Sequence, residues 1–486
     1  MNPSAETASQ TLHRLTSHGP YDADHPDLIW EPPVDDPRVV ADLEVNNTDR
    51  LPWFYKRYDD DLRTLALPRD LPTTTASTVA VLAGTVESSP QTLDLPQLSR
   101  LLHLSAGVVR TMARPYVTWL FRASGSAGGR FPLELYVAVP DGHDLPAGVH
   151  WYQPEAHALV QVGPAPKGGV PTIVVTGVPW RTGWRYRERG YRHVYWDAGT
   201  MLSQLLAVAT STGIEPALFT RFPDAAVTSL VGADGIHEWP VAVVALGGDA
   251  PAIHASGGAA AGRVDAAPLE FPLETAAQRA GDMDVLGAAW QRPDPVETAI
   301  EDGRPIDTVV LSRGSTRLLD RTKSVSLDMF RTSLLAATRG VDVSHTIAVH
   351  AVDDMAPGIY RWPELSPRRA GDVRDELYRL AFEQGLAQEA AFVAIGTADV
   401  GALDDRGYRE AQLGAGIVEG RLHLLAYALN AAASGMTFAD SLLESVVGER
   451  TDGLLLTCVG VPEYTSAKGG APGEPSAVRS VTGRSS

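Results

Sequence analysis

The chain has 486 residues, 44% of them hydrophobic, and a formal charge of −18. That length sets a prior of roughly three domains of ~150 residues, with the apolar content of an ordinary globular protein. The negative charge argues against non-specific nucleic-acid binding, which needs phosphates neutralised by Lys and Arg, and against anionic membrane surfaces.

Taken in chain order, the start Met1-Asn-Pro-Ser-Ala-Glu-Thr has no basic head and no apolar core, so no signal peptide is expected. Residues 1–72 read as a disordered tail to about Gly19, followed by an irregular aromatic arm carrying Trp30, Trp53, Phe54 and Tyr55. Aromatics at that density predict buried anchors. A first domain is expected over 73–247. It opens with a capping box at Asp94-Leu-Pro-Gln97 before Leu98, Leu101 and Leu102 at helical spacing. Then come a small-residue loop from Arg122 to Pro132 and strands at Leu133–Val139, Gly148–Tyr152, His157–Val162 and Thr172–Thr176. A long apolar helix follows Gly199, and a strand runs from Trp239 to Leu246. Residues 248–304 shift to Ala, Gly, Pro and Asp and read as a linker with a short helix near Leu273 to Ala289.

A second domain over 305–464 repeats this order. Its expected elements are helix Leu327–Ala337, strand His345–Val352, the segment Gly358–Trp362, helix Asp372–Gln388, strand Ala390–Thr397, a long helix Arg406–Ala433 and strand Gly453–Gly460. Residues 465–486 read as a mobile tail. No apolar run approaches the ~20 residues of a membrane span. The single Cys458 excludes an internal disulfide and a cysteine metal site. A cytoplasmic protein with no metal is expected.

The repeat is explicit. Arg189-Gly-Tyr-Arg192 and Asp197-Ala-Gly199 recur as Arg406-Gly-Tyr-Arg409 and Gly414-Ala-Gly416, and both pairs are offset by 217 (406 less 189, 414 less 197). Self-similarity at a fixed offset means two copies of one unit. Hairpin strands between helices favour α+β over a doubly wound sheet. Recurrence of Tyr191 and Arg192 as Tyr408 and Arg409 favours a structural role for them.

What each copy lacks points to the chemistry. Arg313-Gly-Ser-Thr-Arg317 sets two forked cations around two hydroxyls, which suits a phosphate. The first copy has Val81-Leu-Ala-Gly-Thr85 there. Ser126-Ala-Gly-Gly129 lets backbone approach a flat ligand closely, whereas the second copy has Arg339-Gly-Val-Asp-Val-Ser344. Together they suggest one composite site between the copies. No G-x-S-x-G, H-E-x-x-H or G-x-G-x-x-G pattern is present, and His237-Glu238 reads as incidental.

These motifs, with Ala147–Tyr152 and Arg185–Gly199, resemble the SagB/ThcOx-type dehydrogenases of the nitroreductase-like superfamily. The resemblance implies two fused nitroreductase-like domains, each an antiparallel or mixed sheet flanked by helices, about an internal pseudo-twofold. It implies one FMN per chain in the seam, with Arg313, Ser315 and Arg317 on the phosphate. Ser126, Ala127, Gly128 and Gly129 reach across from the other copy, and Ser434-Gly435, in a turn, approach the ring. It implies oxidation of thiazoline or oxazoline rings in a precursor peptide delivered by a cyclodehydratase partner, by a monomer or homodimer that binds no nucleic acid and no membrane. Tyr186 is the expected general base. Arg185 stands where the family has Lys, and its charge is expected to lower the phenol pKa. Two alternatives stay open: an NAD(P)H-dependent flavin reductase of small molecules, and a flavin-poor subunit that docks a peptide.

Overall fold

The computed structural model describes residues 5–19, 36–40 and 43–481. Its two large sheets share one strand order. The first runs Ala158–Gly163, Gly148–Gln153, Leu133–Val139, Thr172–Gly177, Trp239–Leu246, Pro216–Phe219. The second runs Ser366–Ala370, Gly358–Trp362, Ser344–Val349, Phe392–Ala398, Asp452–Gly460, Ala432–Met436. Every pairing within the two is antiparallel. The first sheet gains a seventh strand, Thr64–Ala66, from the aromatic arm. The α+β architecture of two repeated units is therefore as expected.

Between the sheets lie two long helices, Gly190–Thr210 and Asp405–Ala428. Both are buried on nearly every side, polar residues such as Arg192, Asp197, Arg409 and Gln412 included. They cross at the repeated glycines. A Cβ on Gly199 would stand 2.3 Å from the Leu413 carbonyl oxygen, and one on Gly416 2.4 Å from that of Trp196. Backbone meets backbone there, which only glycine permits.

The repeated arginines have reciprocal partners. Arg189 and Arg192 hold Asp440 at 2.8 and 3.0 Å, while Arg406 and Arg409 hold Asp224 at 2.8 and 3.1 Å. Each aspartate opens a short helix of the other copy, Asp224–Val231 or Asp440–Val447. A carboxylate is favoured at that end by the helix dipole. Burial by itself would raise the Asp440 carboxyl, but the two guanidinium groups hold it well below the usual range. Tyr191 and Tyr408 stack across the same axis, centroids 6.4 Å apart. The motif thus bolts each copy to its sibling.

Several segments depart from expectation. Residues 7–15 are an ordered helix, not a tail. Thr7 and Gln10 form a capping box around Ala8–Leu15, Leu12 is fully buried, and Gln10 Nε2 donates to the Val400, Gly401 and Leu403 carbonyls. Tertiary contacts, absent from any local signal, order it. Trp30 lies outside the described residues. Elsewhere in the arm, Lys56 is buried and reaches Glu238 at 2.6 Å and Tyr136 at 2.9 Å. Glu238 is therefore an anchor for the arm and not incidental, while His237 turns away onto Asp234.

The 248–304 stretch is packed, not loose. It buries Phe271 and Leu273, and its helix is shorter than expected, Pro272–Ala280. Helix Asp372–Gln388 breaks into Arg374–Leu380 and Gly385–Glu389, with Phe382 and Glu383 at positive φ between them. The long helix ends at Ala428, so Ser434 and Gly435 lie in an edge strand, Ala432–Met436, and not in a turn. An unforeseen hairpin, Val108–Ala113 with Thr118–Arg122, projects from the first copy.

Residues 465–481 are likewise no free tail. They form a strap over that hairpin and the Arg313 loop. Gly469 N donates to Leu311 O, Gly470 N to Val109 O, and Ser476–Ala477 pair in parallel with Arg110 and Thr111. Among the described residues no helix is long and apolar enough to cross a membrane.

Candidate functional site

Elements of both copies converge beside the helix crossing. Helix Ile306–Ser312 ends at Arg313, which is buried, with Nε and Nη2 donating to the Ala123 carbonyl at 3.2 and 3.1 Å. Its Nη1 is buried with no partner, and the guanidinium lies against Gly125 of the other copy. Arg110, from the hairpin, steadies this loop by donating to the Leu311 and Arg313 carbonyls. Thr316 N donates to Ala433 O, which ties the loop to the strand carrying Ser434 and Gly435. Ser315 and Arg317 are exposed, and Arg317 uses its backbone N–H on the Tyr464 hydroxyl. Arg313 is thus a wall of the site, while Ser315 and Arg317 form its rim.

From the first copy, the loop Ser126–Gly129 is fixed by Asp197 on the long helix. Ser126 Oγ donates to one carboxyl oxygen at 2.5 Å and Ala127 N to the other at 2.9 Å. Gly128 and Gly129 take φ of +58° and +64°. A Cβ on Gly128 would meet Arg185 Cδ at 2.6 Å and the Tyr186 hydroxyl at 2.8 Å. The four loop residues, Arg185 and Tyr186 are therefore one contiguous surface. Tyr186 is half-buried and stacks on His193, centroids 4.1 Å apart and nearly parallel.

Charge on the two sides is arranged unequally. Burial pushes the Asp197 carboxyl up to about 8. Glu419, on the second long helix, is pulled below its ordinary range despite burial, by His423, Thr200 and Arg313. Thr200 Oγ1 donates to Glu419 across the seam, and His423 Nε2 lies 3.3 Å from the carboxylate. Glu419 rests on Gly435, where a Cβ would stand 2.3 Å from its Oε1. One carboxyl is therefore neutral and its neighbour ionised at neutral pH, a separation typical of sites that move protons.

The phenol of Tyr186 departs from expectation. Burial raises its pKa, and the charges of Arg185 and Arg317 oppose that without reversing it. The expected lowering by Arg185 is overcome by desolvation. Arg317 nevertheless comes from the second copy, so its charge at Tyr186 marks both copies as neighbours of one space.

A flavin mononucleotide passes a test of fit. The unpartnered Arg313 Nη1, the exposed Ser315 hydroxyl and Arg317, and the positive-φ glycines together offer donors for an anion and a side-chain-free wall for a ring. A cavity of about 580 Å³ between the arm, the hairpin and the strap contains none of these residues. Asp197, Thr200, Glu419 and His423 were missed as site residues. The signal lay in the repeat itself: at the 217 offset Asp197 faces Gly414 and Glu419 faces Leu202.

The sheets, their flanking helices and the central crossing constitute a nitroreductase-like fold. No protein-family model matches the chain. A Methanocaldococcus jannaschii protein named as a nitroreductase is 27% identical over 175 residues, covering 33% of this chain and 82% of that one. A crystal structure from Anabaena variabilis, also named as a nitroreductase, matches with TM-score 0.71 at 22% identity over 94% of this chain and 100% of that one. The E. coli microcin synthetase McbBCD complex with truncated pro-MccB17 bound gives TM-score 0.28 at 16% identity, covering 50% and 87%. That likeness is too slight to bear on function.

Proposed function

We propose that the chain is a flavin-dependent oxidoreductase with one FMN in the seam, and that it oxidises thiazoline or oxazoline rings of a peptide to the aromatic azoles. The observation that carries this reading is Arg313 Nη1, buried and unpartnered against Gly125 of the opposite copy. Arg313, Ser315 and Arg317 would hold the phosphate, with Ser126 to Gly129 and Ser434-Gly435 beside the ring. Bound FMN supplies a two-electron acceptor for a substrate hydride. The chain's own residues do the rest. Asp197 orients the glycine loop through Ser126 and Ala127. Glu419 orients Thr200 and supports Gly435. The Tyr186 hydroxyl, at Gly128, holds or receives the substrate proton.

A raised phenol pKa has a consequence for direction. At neutral pH Tyr186 starts protonated, so azoline oxidation should accelerate as pH rises toward its pKa. The same observation favours a second reading, in which NAD(P)H reduces the flavin and Tyr186 donates its proton to a small reduced product. The test is titration of the purified chain with FMN, followed by azole formation from an azoline peptide. One FMN per chain is expected, with affinity reduced at least tenfold in Arg313→Ala. Azole formation should fail in Tyr186→Phe. Two FMN per chain, or none, overturns the composite site. Azole formation at full rate in Tyr186→Phe removes the role of that phenol.

A further inference from the structure

Around Tyr186 the protein collects cations that form no ion pair among the described residues. Arg130, Arg185 and Arg317 all lie close enough to influence one another or the Tyr186 hydroxyl. Among the described residues none of the three makes an ion pair with a carboxylate. This happens in a chain with 59 acidic and 41 basic residues, where acidic partners are plentiful. Arg130 is accounted for. It is buried, its guanidinium is enclosed by Phe54, Trp119 and Trp184, and it donates to the Arg181 carbonyl. Arg317 belongs to the phosphate rim in the reading above. Arg185 is left over.

Arg185 is exposed, yet it is not draped loosely on the surface. Its Cδ and Nε lie flat on Gly128, where a Cβ would come within 2.6 and 3.0 Å of them. Gly128 has φ of +58°, so the main chain itself is shaped to accept the arginine. The Tyr186 hydroxyl approaches the same glycine, 2.8 Å from where its Cβ would be. Asp197, the acid whose charge reaches Tyr186, is turned onto Ser126 and Ala127 and is occupied there. What remains is a planar fork of N–H donors beside one hydroxyl, at the open edge of the seam. A fork of that kind matches a carboxylate in two-pronged fashion. A lysine would offer charge without the fork, and arginine gives up its proton far less readily.

We propose that Arg185, seated on Gly128 beside the Tyr186 hydroxyl, is a carboxylate-binding subsite, so that the compound transformed in the seam carries a carboxylate beside its reacting carbon. This deepens the proposed function by naming a substrate class, and it rests on that reading for the redox step alone. An azoline bearing a free carboxylate on the ring carbon, or at the next residue of a peptide, has the required chemistry.

The experiment measures binding of 4-fluorobenzoate and 4-fluorobenzamide to the full chain as purified, by fluorine NMR. The acid should bind at least tenfold more tightly than the amide. Arg185→Gln should bring that ratio close to one, and Arg185→Lys should keep part of it. Gly128→Ala, which displaces the arginine, should act like Arg185→Gln. Unfolding curves of each variant identify any loss of fold, and Arg185→Lys serves if Gly128→Ala fails to fold. Equal binding of acid and amide by the native chain, no binding of either, or a preference that survives Arg185→Gln would overturn the subsite. Because the readout needs no flavin, a colourless protein that prefers the acid keeps the subsite and sinks the redox reading. A yellow protein with no preference does the reverse.

Discussion

The two seams of the molecule are related by the internal repeat, and they have opposite contents. In the first, the second copy supplies Arg313 and the first copy the small residue Gly125 that faces it. In the other seam the arginine stands at the other position of the pair: a glycine, Gly84, follows helix Thr78–Ala83 where Arg313 follows its counterpart, and Arg339 presses against it, 2.5 Å from where a Cβ would be. Arg339 is spent on the Leu82, Pro293 and Asp294 carbonyls, and Trp290 donates to Gly340 O. At the place of Asp197 stands Gly414, packed by Val341, Val343 and Trp290. One seam is lined with polar groups that have donors to spare; its twin is plugged by the 248–304 segment, and the Arg339 guanidinium there is taken up by carbonyls. The fold therefore does not dictate a site. It offers two equivalent places, and side chains open one and close the other.

Four measurements would break or sharpen that comparison. The largest effect is expected where the copies are bolted together. Asp224→Asn leaves Arg406 and Arg409 buried beside a neutral group and should cost about 3–5 kcal/mol in chemical unfolding. Asp440→Asn should cost less, because Asp440 is the more exposed of the pair, at 13% against 4%. An equal or reversed order would mean that the two bolts are not alike. Next comes Gly416→Ala, whose methyl group has no room at the helix crossing. A loss of roughly 1–3 kcal/mol is expected, with both seams affected because the residue lies on the axis between them.

A third substitution, Gly414→Asp, writes the site's carboxyl into its twin. There it meets Val341, Val343 and Trp290 in place of Ser126, so a cost of about 1–3 kcal/mol follows from an unsatisfied polar group. Unchanged stability would show that the second seam is wetter than its packing indicates. The last prediction concerns pH. The folded Asp197 carboxyl, at about 8, lies above its unfolded value of ~3.9, so the native state holds the proton more tightly. Its contribution to stability is complete below about pH 4 and is lost as pH rises toward 8. Asp197→Asn should flatten that part of the stability–pH curve, and a slope that persists would assign it to another group.

Most of the repeated core was legible in the sequence because it is written in local periodicity and in the offset of 217. Leu133–Val139 and Trp239–Leu246 have the expected bounds, and Arg313, Gly128, Arg185 and Tyr186 are close neighbours of one seam. What escaped notice depends on contacts distant in sequence. Helix Ala8–Leu15 and the strap near Gly470 are short and polar, and apart from the Thr7–Gln10 capping box are held by surfaces far along the chain. The Val108–Arg122 hairpin lacks a clean alternation. Glu419 looked like an ordinary helix residue because its partners, Thr200 and Gly435, come from other elements. The sign of the Tyr186 shift was misjudged because the neighbouring cation is visible in sequence and burial is not.

Helix Ala8–Leu15 also sets a schedule for synthesis. Ser9 N donates to Asp405, 396 residues further on, and His18 N to Asp440, 422 residues further on. At about 5–20 residues per second, a ribosome needs roughly 20–80 s to deliver those partners after the helix has been made. The helix's nearer partners come earlier: helix Pro272–Ala280 packs on it, and Arg192 donates to the His13 carbonyl. The bonds from Ser9 and His18 are thus completed last, and their closure reports that the second copy has arrived.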